Sequence, residues 1–248
     1  MKLRSKIAAG IFTLSLAIGS FAPSSFASTI EVKKEEQIKS IKESYGDTKV
    51  QKSLIEKVNN GETLDNVNPE KKSLGKKERI GESATLTTFP DGSKEETGID
   101  YSEAKFFDEK GNEVQPSKVQ PIKGIKGPQD SITGGTWTNG SGYSCVKGAK
   151  VWRQSYGNFI VQYYADYCNH NGAYDKLDRV WGRTLSNVHG SYSIETEGVF
   201  RTWEKSGYSA YGGVKFNFTD SNGRSSTQYL YIRVGNDRCL GGFEFLKI

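Results

Sequence analysis

Two histidines, His170 and His189, and three cysteines, Cys145, Cys168 and Cys239, are the chain's whole stock of imidazoles and thiols. A Ser–His–Asp relay needs one histidine, so the count admits one. No Gly-x-Ser-x-Gly elbow presents a serine, however, and His-Glu-x-x-His, Cys-x-x-Cys and phosphate-loop patterns are missing. Cys239 reads as a small buried hydrophobe rather than as half of a Cys–His nucleophile. Glycoside hydrolysis needs two carboxylates across a cleft. The candidates are Asp166, Asp175, Asp178, Glu195, Glu197 and Glu204. Glu195 and Glu197 stand two apart, so a regular strand puts both on one face, which is the wrong arrangement for flanking a sugar. Asn169-His170-Asn171-Gly172 and Asp220-Ser221-Asn222-Gly223 offer oxygen ligands beside glycine. They lack the alternating acids and final Glu of a calcium loop and read first as turns. No cofactor and no metal are expected.

Aromatic rings are the surplus. From 131 to 248 there are 21 of them, including all four Trp and eleven Tyr, whereas 28–130 has only Tyr45, Phe89, Tyr101, Phe106 and Phe107. Rings fill β cores, and exposed rings bind flat ligands. Along 159–167, Phe159, Val161, Tyr163, Ala165 and Tyr167 share the face expected to be buried. Tyr164 falls on the other face. Tyr164, Trp137, Trp181 and Trp203 are therefore the candidate ligand-binding aromatics.

The elements that must position these residues follow a clear order. Lys2, Arg4 and Lys6, an apolar run over 7–22, Pro23 and the small residues Ser25 and Ala27 make a secretory signal peptide over 1–27. The apolar run is shorter than the ~20 residues of a membrane span, so no membrane insertion is expected after its removal. Without 1–27 the chain holds 31 basic and 29 acidic residues, a balance of +2. That balance is too small for a nucleic-acid footprint. Residues 28–80 are lysine-rich. Within them 31–46 reads as a frayed helix or disorder and 62–78 as a loop. Over 48–60, Val50, Leu54, Ile55 and Val58 recur at helical spacing between an Asp47/Thr48 cap and Gly61. Residues 81–115 form a small β-rich unit around the turn Pro90-Asp91-Gly92-Ser93. Residues 116–135, with Pro116, Pro121 and Pro128, read as a linker. Residues 136–248 alternate β-prone runs with Gly and Asn turns, the pattern of an antiparallel β-sandwich. The fold class is mainly β.

Two hairpins can be set in register. Centring one on Asn222-Gly223 pairs Val214 with Tyr231, Phe216 with Tyr229 and Phe218 with Thr227. Centring the other on an even loop over 155–158 opposes Lys147 to Asp166 and Cys145 to Cys168, within disulfide reach. A three-residue loop there would shift the register by one and spoil the bridge. The favoured bridge, Cys145–Cys168, leaves Cys239 unpaired. It would contribute about 3 kcal/mol through the unfolded chain.

Ala165-Asp166-Tyr167, Tyr174-Asp175-Lys176-Leu177, Gly190-Ser191-Tyr192-Ser193 and Val234-Gly235-Asn236-Asp237, in this order of segments, resemble a group of uncharacterised secreted proteins of Bacillus-like Gram-positive bacteria. The resemblance implies an exported β-rich protein and carries no catalytic residue across.

Together these observations point to a secreted, non-catalytic binding protein whose partner is an extracellular polymer, such as cell wall, or a cell surface. A secreted antagonist, bacteriocin-like toxin or inhibitor, is the alternative, and a secreted hydrolase stands third. Cleavage after Ala27 predicts that the exported chain begins at Ser28. N-terminal sequencing of protein from culture medium checks this, and recovery of chain still bearing 1–27 would refute it.

Overall fold

The computed structural model describes residues 24–80, 83–108, 110–114, 132–134, 143–170, 173–236 and 239–242. The segment read as signal peptide therefore lies outside them except for 24–27, which open the first helix. Among the described residues no helix is long and apolar enough to cross a membrane.

Helix α1 (Ser24–Ser44) replaces the disorder or fraying expected over 31–46. Its regular apolar positions are sparse, so propensity alone would not hold it. Packing does. Ile41 and Tyr45 are buried against Leu54, Val58 and Leu64. Helix α2 (Thr48–Asn59) begins where the pattern places it, with the Asp47 carboxylate accepting from Lys49 N and Val50 N. Its stripe is covered by α1 within the same chain. Two short 3₁₀ turns, Asp65–Val67 and Pro69–Leu74, follow, and then strand β1 (Lys76–Ile80) in what was expected to be loop.

The first sheet contains β1, β2 (Ala84–Thr88), β3 (Lys94–Asp100), β4 (Lys105–Phe107), β5 (Glu113–Val114), β7 (Tyr143–Ser155), β8 (Phe159–His170) and β9 (Lys176–Ser186). The second contains β6 (Ile132–Gly134), β10 (Gly190–Arg201), β11 (Ala210–Asp220), β12 (Ser225–Val234) and β13 (Cys239–Gly242). All pairings are antiparallel. Strands from 81–115 and from 136–248 lie together in the first sheet. β3 pairs with the C-terminal half of β7, and β4 with its N-terminal half. Within the segment read as linker, Ile132–Gly134 is a strand paired with β13. The remaining linker positions, 116–131 and 135, lie outside the described residues.

Both hairpin registers differ instructively from expectation. β7 and β8 close around three residues, Tyr156-Gly157-Asn158, with Gly157 at φ +79°. That offset runs from Ser155↔Phe159 to Ala149↔Ala165. A bulge at Lys147-Gly148 then cancels it, so Cys145 still faces Cys168. The two sulfurs stand 2.08 Å apart, at disulfide distance. In the β11–β12 hairpin the turn opens one residue earlier than Asn222-Gly223 suggests. Asp220 Oδ1 accepts from Asn222 N and Arg224 N, and Gly223 at φ +80° closes a three-residue loop. Phe216 therefore faces Gln228, not Tyr229, and Val214 faces Leu230, not Tyr231. A one-residue slip turns every side chain to the other face. The observed register puts Val214, Phe216 and Phe218 inward together with Leu230 and Ile232.

The core lies between the sheets. Phe159, Val161, Tyr163, Ala165 and Tyr167 meet the β11 and β12 residues there, and Phe159 packs edge-on against Phe216 and Phe218 at 5.2 and 5.0 Å. In the same interior, Arg153 and Glu95 are both wholly buried. Arg153 Nε donates to Glu95 Oε2 at 2.7 Å, NH1 to Tyr229 O at 3.1 Å and NH2 to Gln228 Oε1 at 2.8 Å. Lys72 adds a second cation to Glu95 at 2.9 Å. Removing one member of a buried pair costs about 3–5 kcal/mol when it strands the other charge, and Lys72, which keeps a cation on Glu95, holds the loss to the lower end of that range. Arg153→Met is expected to lose stability in that range in urea unfolding. Adding Glu95→Gln should restore part of the loss, and strictly additive losses would contradict the coupling.

Candidate binding surface

Period-two alternation sends Phe159, Val161, Tyr163 and Ala165 inward, which turns Gln162, Tyr164 and their register partners outward. The outer face of the first sheet thereby gathers Trp152 on β7, Tyr164 on β8 and Trp181 on β9. Lys150 pairs with Tyr164, and Tyr164 with Trp181. Two glycines make room for the rings. A Cβ on Gly98 would come within 2.6 Å of the Trp152 indole, and one on Gly182 (φ +65°) within 3.0 Å of the Tyr164 ring. The Tyr164 and Trp181 rings stack, with centroids 4.8 Å apart and planes inclined by 25°.

Asp166 fixes this pair. It is nearly buried and accepts from the Trp181 indole N–H at 3.1 Å, from Arg179 Nε at 3.1 Å and from Gly148 N–H at 2.8 Å. The bulge that returns the cysteines to register thus also supplies a donor to the carboxylate orienting the tryptophan. The Arg179 guanidinium lies 4.7 Å from the Trp181 ring centroid. Lys150 and Asp100 form a 2.7 Å ion pair on the same face. The Lys150 pKa is raised by its hydrogen bond to Asp100. For Asp100, burial pushes upward, but Lys150 and Ser102 outweigh it and lower the pKa. The rings on this face thus lie beside two ion pairs, Lys150–Asp100 and Arg179–Asp166.

Of the other candidate aromatics, Trp203 is half exposed in the segment after β10, bridged to Lys176 at the start of β9, whose ammonium lies 5.1 Å from the ring. Its bridge partner Lys176 is five residues along β9 from Trp181. Trp137 lies outside the described residues. Trp152, not among the sequence candidates, belongs to this face. The signal that identifies it is its position two residues after Lys150, on the outward face of β7.

The candidate catalytic groups are engaged structurally. Asp175 is buried and accepts from His170 N at 2.7 Å. Glu204 accepts from Asp175 N and Asn236 N, tying two loops. Asp178 pairs with Lys176. Glu195 and Glu197 do not act as a same-face pair: a register shift between Ile194 and Thr196 sends Glu195 to Lys215 and Glu197 to Arg183. Burial pushes the Cys239 thiol up to about 12, and burial lowers the His189 pKa against the opposing pull of Glu36 and Glu43. Asp220 serves its own turn and Thr63. Asn171 and Gly172 lie outside the described residues. Among the described residues no three His, Cys, Asp or Glu side chains gather as a metal site.

Comparison with protein-family models, curated proteins and solved structures finds no match.

Asp166→Ala removes the shared acceptor of Gly148 N–H, the Trp181 indole and Arg179, the last two of which reach solvent, a loss of about 1 kcal/mol. It is expected to destabilise by that amount and to increase acrylamide quenching of tryptophan emission. In a Trp181→Phe background the quenching difference should vanish, and its persistence would show that Asp166 does not hold Trp181.

Proposed function

We propose that the chain is an exported, non-catalytic binding protein whose Trp152–Tyr164–Trp181 face takes an extracellular polymer, with cell-wall glycan as the first candidate. The observation that carries this reading is the Tyr164–Trp181 stack, pinned by Asp166 and seated over Gly182. Rings fixed by a buried carboxylate are preorganised, so little side-chain freedom is lost when a ligand contacts them. The two ion pairs beside the rings, Lys150–Asp100 and Arg179–Asp166, suit a polymer recognised by its sugar rings rather than by its charge. The signal-peptide pattern supports an extracellular setting, and a bridge between Cys145 and Cys168 is compatible with it.

The test is a pull-down of the mature protein on purified cell wall and on a panel of neutral glycans. Saturable binding is expected. Tyr164→Ala and Trp181→Ala should each weaken it by about fivefold, the equivalent of about 1 kcal/mol for an aromatic contact, with unchanged circular dichroism. No binding to any preparation, together with growth inhibition of related cells, would replace this reading with that of an antagonist.

A further inference from the structure

The outer face of the second sheet has a different chemistry. Along β11 and β12 the even-numbered residues 214, 216, 218, 228, 230, 232 and 234 are buried, so the odd-numbered residues face out. Arg201, Tyr211 and Arg233 form one row of register partners across β10, β11 and β12. Thr196, Lys215 and Tyr229 form another, and Tyr231 lies between the rows on β12, opposite Gly213. Cations and rings alternate and touch. Arg201 lies 5.1 Å from the Tyr211 centroid, Arg233 5.2 Å from Tyr231 and Lys215 6.0 Å from Tyr229. Lys205, in the loop after β10, stands 5.1 Å from Tyr208.

The charge of this face is not balanced. Among the described residues Lys215 is matched by Glu195, whereas Arg201, Lys205 and Arg233 have no carboxylate partner. Glu204, beside Lys205, is turned away to the backbone of Asp175 and Asn236. Arg233 Nε is shielded from solvent and has no acceptor. Arg201 and Arg233 are two strand spacings apart, about 10 Å. One small anion reaches one of them, while a chain carrying repeated charges reaches both.

We infer that this face, formed around Arg201, Lys215, Arg233, Tyr211, Tyr229 and Tyr231, binds a carboxylate-bearing polysaccharide. Guanidinium groups take carboxylates through paired N–H donors, and the tyrosine rings between them lie against sugar rings. A nucleic acid also offers rings and anions, but a chain with a balance of only +2 once 1–27 is gone lacks the general positive field such ligands draw on. The inference uses a surface separate from the Trp152–Tyr164–Trp181 face and holds or fails independently of it.

The test is affinity electrophoresis and calorimetry of the mature protein with polygalacturonate, dextran and oligo-dT. Polygalacturonate is expected to bind best, with affinity falling between about 50 and 200 mM salt, as screening of exposed charges requires. Arg201→Gln with Arg233→Gln should weaken it by about tenfold or more, while Tyr164→Ala leaves it unchanged. Arg201 NH1 also donates to Ser209 O at 3.0 Å, so the loop could respond to its loss. Lys215→Gln with Arg233→Gln keeps that bond and is expected to give a loss in the same direction. Polygalacturonate binding equal to dextran binding, tighter binding of oligo-dT, or wild-type affinity in both double variants would each overturn the inference. Loss of polygalacturonate binding in Tyr164→Ala would also overturn it and assign the ligand to the other face.

Discussion

The buried Arg153–Glu95 pair is the constraint on which the rest of the molecule depends. Placing a guanidinium and a carboxylate where neither meets water costs several kcal/mol per ion unless donors and acceptors are matched. Each match here recruits a different part of the chain. Glu95 comes from β3 and Arg153 from β7 of one sheet; Gln228 and Tyr229 O come from β12 of the other. Lys72 brings in the 3₁₀ segment before β1, and Gln228 Nε2 reaches back to Val67 O. Apolar packing alone would let the two sheets slide at little cost. The fork geometry of Arg153 ties the sheets in register, because a shift of either one breaks its bonds to Gln228 and Tyr229 O.

The same logic explains why the N-terminal region belongs to the fold. Asn66 Nδ2 donates to Lys94 O and Tyr156 O, while Asn158 Nδ2 donates to Asn66 Oδ1. Gln37 Nε2 donates to Asn158 Oδ1, and Ser221 Oγ donates to Gln37 Oε1. Helix α1, the 61–68 segment and three hairpin turns meet in this chain of amides. Lys57, between Asp65 and Asp91, closes its flank. Backbone groups at the turns that would otherwise go unpaired are satisfied by side chains from the helical segment, so that segment caps one end of the sandwich.

These contacts mark how far the sequence was legible. The alternation of 159–167 and the α2 stripe are local patterns of period two and 3.6, and both could be read directly. Helix α1 could not. Its anchors, Gln37 to Asn158 and Ser221 to Gln37, span 121 and 184 residues, and no local window contains them. The β11–β12 register was missed by one because Asp220, a stronger acceptor than the Asn-Gly signal allows for, captured the turn. The opposition of Cys145 to Cys168 was reached from an even loop that does not exist. An odd loop and the Gly148 bulge cancel, and only a glycine at φ +78° hints at the second. Tyr164 was legible as an outward ring from its alternation, and Trp181 only as a candidate by residue type. Their stacking was not, because it depends on a further register shift between Gln162 and Tyr164.

That pair of irregularities ties the covalent and aromatic parts of the first sheet together. The Lys147-Gly148 bulge leaves one extra residue on β7, and the freed Gly148 N–H points at Asp166. Asp166 would otherwise be a nearly buried carboxylate answering only to Arg179 and an indole. With the third donor it becomes a fixed pivot, and Trp181 takes its orientation from it. Deleting Gly148 would straighten β7 with Lys147 opposite Asp166 and would leave Cys145 opposite Cys168, but the ring platform would lose the bond that sets its angle. A bulge is retained in a strand when it does something a regular ladder cannot. Here it gives the hairpin that carries the three-residue turn and the bridge between Cys145 and Cys168 an ordered outer face.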